Sequence, residues 1–459
     1  MTNLLRRFNP ATGDVFETIE ADDAAVVAAK VAAARAAQPA WAATPYAVRA
    51  AAITKFARLL ETRKEALAKA QTRETGKPID QARGEIGATP SRVQWFLDQT
   101  EAIIAPSERV LDSATNERVT YAPLGVIGNI SAWNYPWFVG TNVYIPALLA
   151  GNAVIYKPSE HALDTGRAMG ALLHEAGIPQ DVFQVVVGAG AAGQALLAQR
   201  LDGVFFTGSH STGVKIAQAA AAQLIPVQLE LGGKDPVYVT DGVDPVSTAQ
   251  GLAEGAFYNN GQSCCAIERI YVHHSLYDAF VAAYVEAVEG YQMGPPEQDD
   301  TFLGPLTREA QLAELQAQVD DALDLGANLL TGGKRADRPG YYYEPTVLTD
   351  VSHRMTVMRE ESFGPVIGIQ RITNDAEAVA LMNDTAYGLT AAVYCPDEAR
   401  ATGILAQLDT GTAYWNCCDR VSPRLPWTGR GHSGVGSTLG EIGIRAFVHP
   451  RGWHLRAPK

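Results

Sequence analysis

The chain has 459 residues, of which 47% are hydrophobic and 19% charged. It is too long for one hydrophobic core and too apolar for a disordered or fibrous protein, so two or three packed units are expected. A formal net charge of −13 argues against general affinity for nucleic acid backbones or anionic lipid surfaces, which clustered Lys and Arg supply.

The opening MTNLLRRFNPATGDVF lacks the apolar run of a signal peptide. No later stretch of about 20 apolar residues could span a bilayer, so a cytoplasmic location and no membrane partner are expected. Five cysteines, Cys264, Cys265, Cys395, Cys417 and Cys418, are odd in number, include two vicinal pairs and lack C-x-x-C spacing. Reduced thiols are therefore expected, with neither a disulfide framework nor a metal site.

From Asp22 to about Gln71 the sequence is Ala-rich with apolar residues at helical spacing, and RETGKPIDQARGEIG opens another helical run. NERVTYAPLG then reads as a short, half-apolar strand. After Pro123, apolar runs alternate with amphipathic segments: GVIGNIS, PALLAG, NAVIYKPS, GRAMGALLHEAG, VFQVVVG, QALLAQR, GVFFTGS and IPVQLELGG. Such alternation implies a parallel sheet built from crossover units. Ligands of these sheets bind outside the carboxyl ends of the strands, where KPSE, TGSHSTG and LELGGK fall. A second alternating series follows Lys234, with PVYVTDG, RIYVHHS, EPTVLTD, AVYCPDE and GTAYWNC. It predicts a second α/β domain joined to the first at Gly232-Gly233. The closing IRAFVHPRGWHLR resembles NERVTYAPLG in character, and the two suit pairing with another subunit.

The stretch FYNNGQSCCAIER places two thiols behind a Gly-Gln pair. A lone cysteine more often packs in a core than attacks a substrate. Glu230 in LELGGK, followed by glycines that permit close backbone approach, and Asn134 in SAWNYP change that balance. Together they supply a nucleophile, a base and an oxyanion donor.

WNYP at 133–136, KPSE at 157–160, FTGS at 206–209, LELGGK at 229–234, GQSC at 261–264 and EESFGPV at 360–366 occur in one order. They resemble the NAD(P)-dependent aldehyde dehydrogenases, and the resemblance runs from NPATG near the start to SGVGSTLG at 433–440. It implies an α/β, aldehyde dehydrogenase-like fold in three parts. A Rossmann-type parallel-sheet cofactor domain is expected from 1–105 and 124–231, an α/β catalytic domain from 232–432, and a small β oligomerisation arm from 106–123 and 443–459. A homodimer or homotetramer follows.

The implied reaction oxidises an aldehyde to the acid through a thiohemiacetal and a thioacyl-enzyme on Cys264, with Cys265 a bystander. Asn134 and the Cys264 backbone N–H are the implied oxyanion donors, and Glu230 the general base for hydrolysis. Trp133, Lys157, Glu160, Gly208, Ser209, Gly232, Glu361 and Phe363 are implied to hold the cofactor. Taken singly, Lys157 and Glu160 read as solvated charges and Ser209 as a helix cap. GSHSTG is not the G-x-G-x-x-G fingerprint, and His210 within it is expected to be exposed. NAD is favoured over NADP because Glu160 repels a 2′-phosphate.

The expected substrate wall is Tyr135, Trp137, Val139, Asn142, Ser263, Val421 and Trp427, an aromatic and largely uncharged tunnel suited to apolar or aromatic aldehydes. Arg420 and Arg424 are the alternative, as holders of a carboxylate tail. Four positions depart from the family pattern. Val143 and Thr438 replace an accessory Lys and Glu, and PFGG becomes Pro426-Trp427-Thr428-Gly429. Rival readings are a relative that transfers the acyl group to coenzyme A, which Glu230 opposes, a cofactor-free cysteine hydrolase, and a catalytically silent structural member of the fold.

Overall fold

In the computed structural model, residues 4–110 and 114–458 are described. Residues 1–3, 111–113 and 459 fall within the expected cofactor-domain and arm ranges but lie outside the described residues. The apolar runs after Pro123 become strands buried on both faces, among them Val126–Ile130 and Ala153–Lys157. A parallel sheet covered by helices on both sides requires such strands.

The sheet order is Gly434–Val435, Val227–Glu230, Gly203–Thr207, Val126–Ile130, Ala153–Lys157, Phe183–Val185. Its neighbours are parallel except at Gly434–Val435, which runs antiparallel to Val227–Glu230. The order reverses beside Val126–Ile130, which opens a crevice at the carboxyl ends of that strand and Gly203–Thr207. The helix Ile79–Ile103 packs against the helices Tyr46–Thr75 and Pro136–Leu149.

The chain leaves this sheet at Glu230 and enters a second one at Asp235. The second sheet is ordered Asn328–Thr331, Thr346–Thr349, Val366–Ile372, Ile267–His273, Asp235–Val239, Thr390–Tyr394, Thr412–Trp415. Only Asn328–Thr331 is antiparallel to its neighbour.

A third sheet sets Thr115–Pro123 between Ser107–Val110 and Val448–Arg456, both antiparallel to it. The last strand begins at Val448, later than the arm boundary expected at 443. The residues before it form the helix Gly440–Arg445, and Ile444 and Phe447 are buried in the first domain's core. Their apolar side chains set the boundary, with the Phe447 ring stacked on Phe205 at 4.4 Å. Among the described residues, no helix is long and apolar enough to cross a membrane.

Candidate active site

The turn Tyr258–Gly261 precedes the two vicinal thiols and carries three consecutive left-handed residues, Asn259 (φ 55°), Asn260 (φ 57°) and Gly261 (φ 69°). Only glycine fits the third, because a Cβ there would meet the Gly364 carbonyl oxygen at 2.3 Å. The turn is fastened on several sides. Asn259 N donates to Gln81 Oε1 at 2.9 Å, and Asn259 Nδ2 donates to the carbonyls of Asn134 and Gln262, both at 3.1 Å. Asn260 Nδ2 donates to the Pro305 carbonyl at 2.9 Å. These bonds leave Cys264 half-buried on a cavity wall and Cys265 buried. Cys265 Sγ donates to Asp419 Oδ1 at 2.9 Å. Hydrogen bonding with Cys264, then burial, then the Asp419 charge push the Cys265 thiol well above the usual thiol range.

Asn134 sits just before the helix Pro136–Leu149, whose first turn carries the proline suited to that place. Glu85 satisfies the helix start: its Oε1 accepts from Trp137 N at 2.9 Å and Phe138 N at 3.3 Å. The other oxygen accepts from Gln71 Nε2 at 2.7 Å and Lys77 Nζ at 2.5 Å. Lys77 Nζ also lies 3.8 Å from the centroid of the Tyr135 ring. Asn134 is buried, and its side-chain Oδ1 has no hydrogen-bond partner among the described residues. The helix turns Phe138, Val139 and Asn142 to the cavity. Trp137, expected in the tunnel, instead points into the core and is 0% exposed.

Glu230 ends its strand in a buried position. Thr438 Oγ1 donates to Glu230 Oε1, and Thr207 Oγ1 donates to Oε2 at 3.5 Å. Burial pushes the Glu230 carboxyl up to about 7, against the Thr438 hydrogen bond and the Arg92 charge, which pull it down. The backbones of Trp427 and Thr438 exchange hydrogen bonds of 2.7 and 3.0 Å, which seat Thr438. The Thr438 departure therefore puts a hydroxyl on the expected base, while Val143 packs in the apolar core.

Cys264, Asn134 and Glu230 share one cavity of about 520 Å³ with Tyr135, Val139, Asn142, Ser263, Val421 and Trp427. The wall is not largely uncharged, as the sequence suggested. Arg92, Glu85, Glu254, Asp419 and Arg420 also line it, while Arg424 does not. Arg92 Nη1 donates to Asn142 Oδ1 at 2.9 Å and Nη2 to the Val421 carbonyl at 3.2 Å, with the guanidinium 4.4 Å from the Phe138 ring centroid. Burial pushes the Asp419 carboxyl up to about 6.

In the crevice of the first sheet, Lys157 ends its strand buried, its Nζ donating to the Pro158 carbonyl at 3.0 Å and 3.8 Å from Glu160 Oε2. Trp133 stands edge-on to Phe363 and His161, at 5.6 and 6.4 Å. Ser209 occupies the N-cap of the helix His210–Gln223 without bonding its backbone; its hydroxyl donates to Thr212 Oγ1 at 3.1 Å. His210 is half-buried, not exposed, because its ring stacks on His432 at 3.9 Å.

A Cβ on Gly208 would lie 2.5 Å from the Phe206 ring, and one on Gly232 would lie 2.2 Å from the Glu361 carboxylate. Glu361 accepts from Gly233 N at 3.1 Å. Sequence reasoning missed the residues that hold this loop. Glu268 accepts from Lys234 Nζ at 2.7 Å, Ser362 N at 2.8 Å and Phe363 N at 3.0 Å. A buried cation, an uncapped helix start and close-packed glycines suit a dinucleotide. Among the described residues, no group of three or more His, Cys, Asp or Glu could hold a metal ion.

Residues 2–451 match the model described as the Aldehyde dehydrogenase family. The chain is 37% identical to aminoaldehyde dehydrogenase 2, peroxisomal, of Pisum sativum, over 96% of this chain and 90% of that one. It is 35% identical to an NADP(+) succinate-semialdehyde dehydrogenase of Deinococcus radiodurans, over 96% and 93%. It superposes on the structure of an NAD-dependent aldehyde dehydrogenase from Sinorhizobium meliloti with a TM-score of 0.96 and 34% identity, covering 99% of this chain and 92% of that one.

Proposed function

The chain belongs to the aldehyde dehydrogenase family, and from that premise we propose how it oxidises an aldehyde to the carboxylic acid with NAD(P). One observation carries the reading: Cys264, Asn134 and Glu230 line a single cavity. The Cys264 sulfur bonds to the aldehyde carbon, and the Asn134 amide and Cys264 backbone N–H stabilise the resulting oxyanion, at about 3 kcal/mol per donor.

Bound NAD supplies the hydride acceptor. Lys157 and Glu160 would hold its adenosine ribose, Gly208 and Ser209 its pyrophosphate, and Trp133, Gly232, Glu361 and Phe363 its nicotinamide end. Once hydride has left, the acyl group remains on Cys264 as a thioester. Glu230 then takes a proton from water as the water oxygen bonds to the acyl carbon. The C–S bond breaks, its electron pair stays on sulfur, and the acid departs. A buried carboxyl near 7 is matched to this work, because a general base is most effective near the operating pH. It also favours water over coenzyme A as the acceptor.

Glu160 supports a preference for NAD over NADP. The wall of Tyr135, Phe138 and Trp427 beside Arg92 and Asp419 supports an aldehyde with an apolar body and a polar end. A homodimer or homotetramer is supported by the three-stranded sheet and by the exposure of Leu425, Val435 and Ile442 nearby in sequence. Five free cysteines support a reducing, cytoplasmic setting.

The test is Glu230→Gln with NAD and an aliphatic aldehyde. NADH should appear in a burst of about one equivalent per site, followed by very slow turnover, with an acyl adduct on Cys264 seen by mass spectrometry. A variant with neither burst nor adduct overturns the role of Glu230. Absence of NADH from the wild type with neutral, ω-amino and ω-carboxylate aldehydes overturns the function.

A further inference from the structure

The two groups assigned to the oxyanion, the Asn134 amide and the Cys264 backbone N–H, come from segments far apart in the chain. Their spacing has to be set by something that holds both segments. Asn259 does so with one group. Its Nδ2 donates to the Asn134 carbonyl and to the Gln262 carbonyl, both at 3.1 Å. One buried side-chain amide thus ties the residue with the first donor to the loop with the second, and both of its N–H donors are used.

The bond to Asn134 matters because the Oδ1 of that residue has no partner among the described residues. The Asn134 side chain is aimed through its backbone, and the backbone is what Asn259 holds. The helix Ile79–Ile103 supports the arrangement from one face, where Gln81 and Glu85 stand a helical turn apart. Gln81 Oε1 accepts from Asn259 N at 2.9 Å, and Glu85 Oε1 accepts from Trp137 N at 2.9 Å. Hydrogen bonds therefore close a ring through this helix, the turn and the segment from Asn134 to Trp137. Asparagine also suits the backbone at this point, since φ 55° and ψ 33° are left-handed values that it tolerates better than most residues.

Resting on the oxyanion assignment argued above, we propose that Asn259 is a positioning residue that sets the distance between the two oxyanion donors. It does not line the cavity, so it acts through Asn134 and the thiol loop. Its effect falls on the steps that place negative charge on the substrate oxygen, which are addition of the Cys264 thiolate to the aldehyde and addition of water to the thioester. Alkylation of the same sulfur by iodoacetamide forms an S–C bond and expels iodide, with no oxyanion to stabilise.

The experiment compares wild type, Asn259→Gly, Asn134→Ala and the double variant with NAD and propanal, reading kcat/KM beside the rate at which iodoacetamide alkylates Cys264. Glycine keeps the left-handed turn and removes the amide. Asn259→Gly should lower kcat/KM about a hundredfold, while alkylation stays close to the wild-type rate. In the Asn134→Ala background the same change should cost less than about tenfold, because residues that act through one another are not additive. Asn259→Asp has nearly the shape of asparagine without the donors. It should repeat the glycine result, and it carries the test where the glycine variant does not fold.

Losses that add in full in the double variant overturn the proposal, as does a wild-type kcat/KM in Asn259→Gly. Alkylation that falls in step with kcat/KM also overturns it, and makes Asn259 a shaper of the thiol loop alone. Failure of the oxyanion reading shows elsewhere, as an undiminished rate in Asn134→Ala by itself, and the proposal falls with it.

Discussion

Both vicinal thiols line the cavity, but Cys264 is half-buried, whereas Cys265 is buried with its sulfur bonded to the Asp419 carboxyl. Cys264→Ala should therefore abolish NADH formation and Cys265→Ala should keep most of it. Iodoacetamide followed by peptide mass spectrometry should label Cys264 before the other cysteines. Equal loss in both variants removes the distinction. Glu160 stands at the same scale: Glu160→Ser should narrow or reverse the ratio of kcat/KM for NAD over NADP, and an unchanged ratio means that Glu160 does not read the ribose. These residues were legible because each sits in a short run whose neighbours are as telling as itself. Arg92 was not. A single Arg in a helical stretch reads as a solvated face, and only the packing of Ile79–Ile103 against Pro136–Leu149 turns it onto the cavity wall.

The turn Tyr258–Gly261 decides where the reactive thiol points, since its three left-handed residues leave Ser263, Cys264 and Cys265 little freedom. Gly261→Ala should cost at least about 2 kcal/mol, from the left-handed backbone and the contact with Gly364. It should also lower turnover about a hundredfold through displacement of Cys264 by an ångström. Thermal unfolding and steady-state rates measure the two effects; a wild-type rate shows that the turn does not aim the thiol. The alternating strands and helices could be read from periodicity. The strand Val366–Ile372 was overlooked because EESFGPV drew attention as a motif, and Gly434–Val435 is too short to leave a pattern. The Lys77–Glu85–Gln71 cluster beneath Asn134 was also invisible, because its members look like ordinary charges and amides until helix packing buries them.

At the scale of the molecule, two sheets meet where the chain crosses from Glu230 to Asp235, and the third sheet pairs residues near 120 with residues near 450. Light scattering at micromolar concentration should give two or four times the mass of one chain. Ile442→Asp combined with Leu455→Asp, both at exposed positions, should shift it toward the monomer; a wild-type monomer refutes the arm's role. The two-domain division was visible in the sequence, but the allegiance of the C-terminal segment was not, because nothing local says that Gly434–Val435 completes the first sheet. That allegiance bears on biosynthesis. Thr438, the hydroxyl on Glu230, and the strand edge beside it follow Glu230 itself by more than 200 residues. On the ribosome Glu230 therefore emerges before the hydroxyl that bonds it, just as the thiol loop emerges before Pro305, Gly364 and Asp419, which hold it. A nascent chain that stops short of residue 438 thus lacks the hydroxyl that bonds its proposed base.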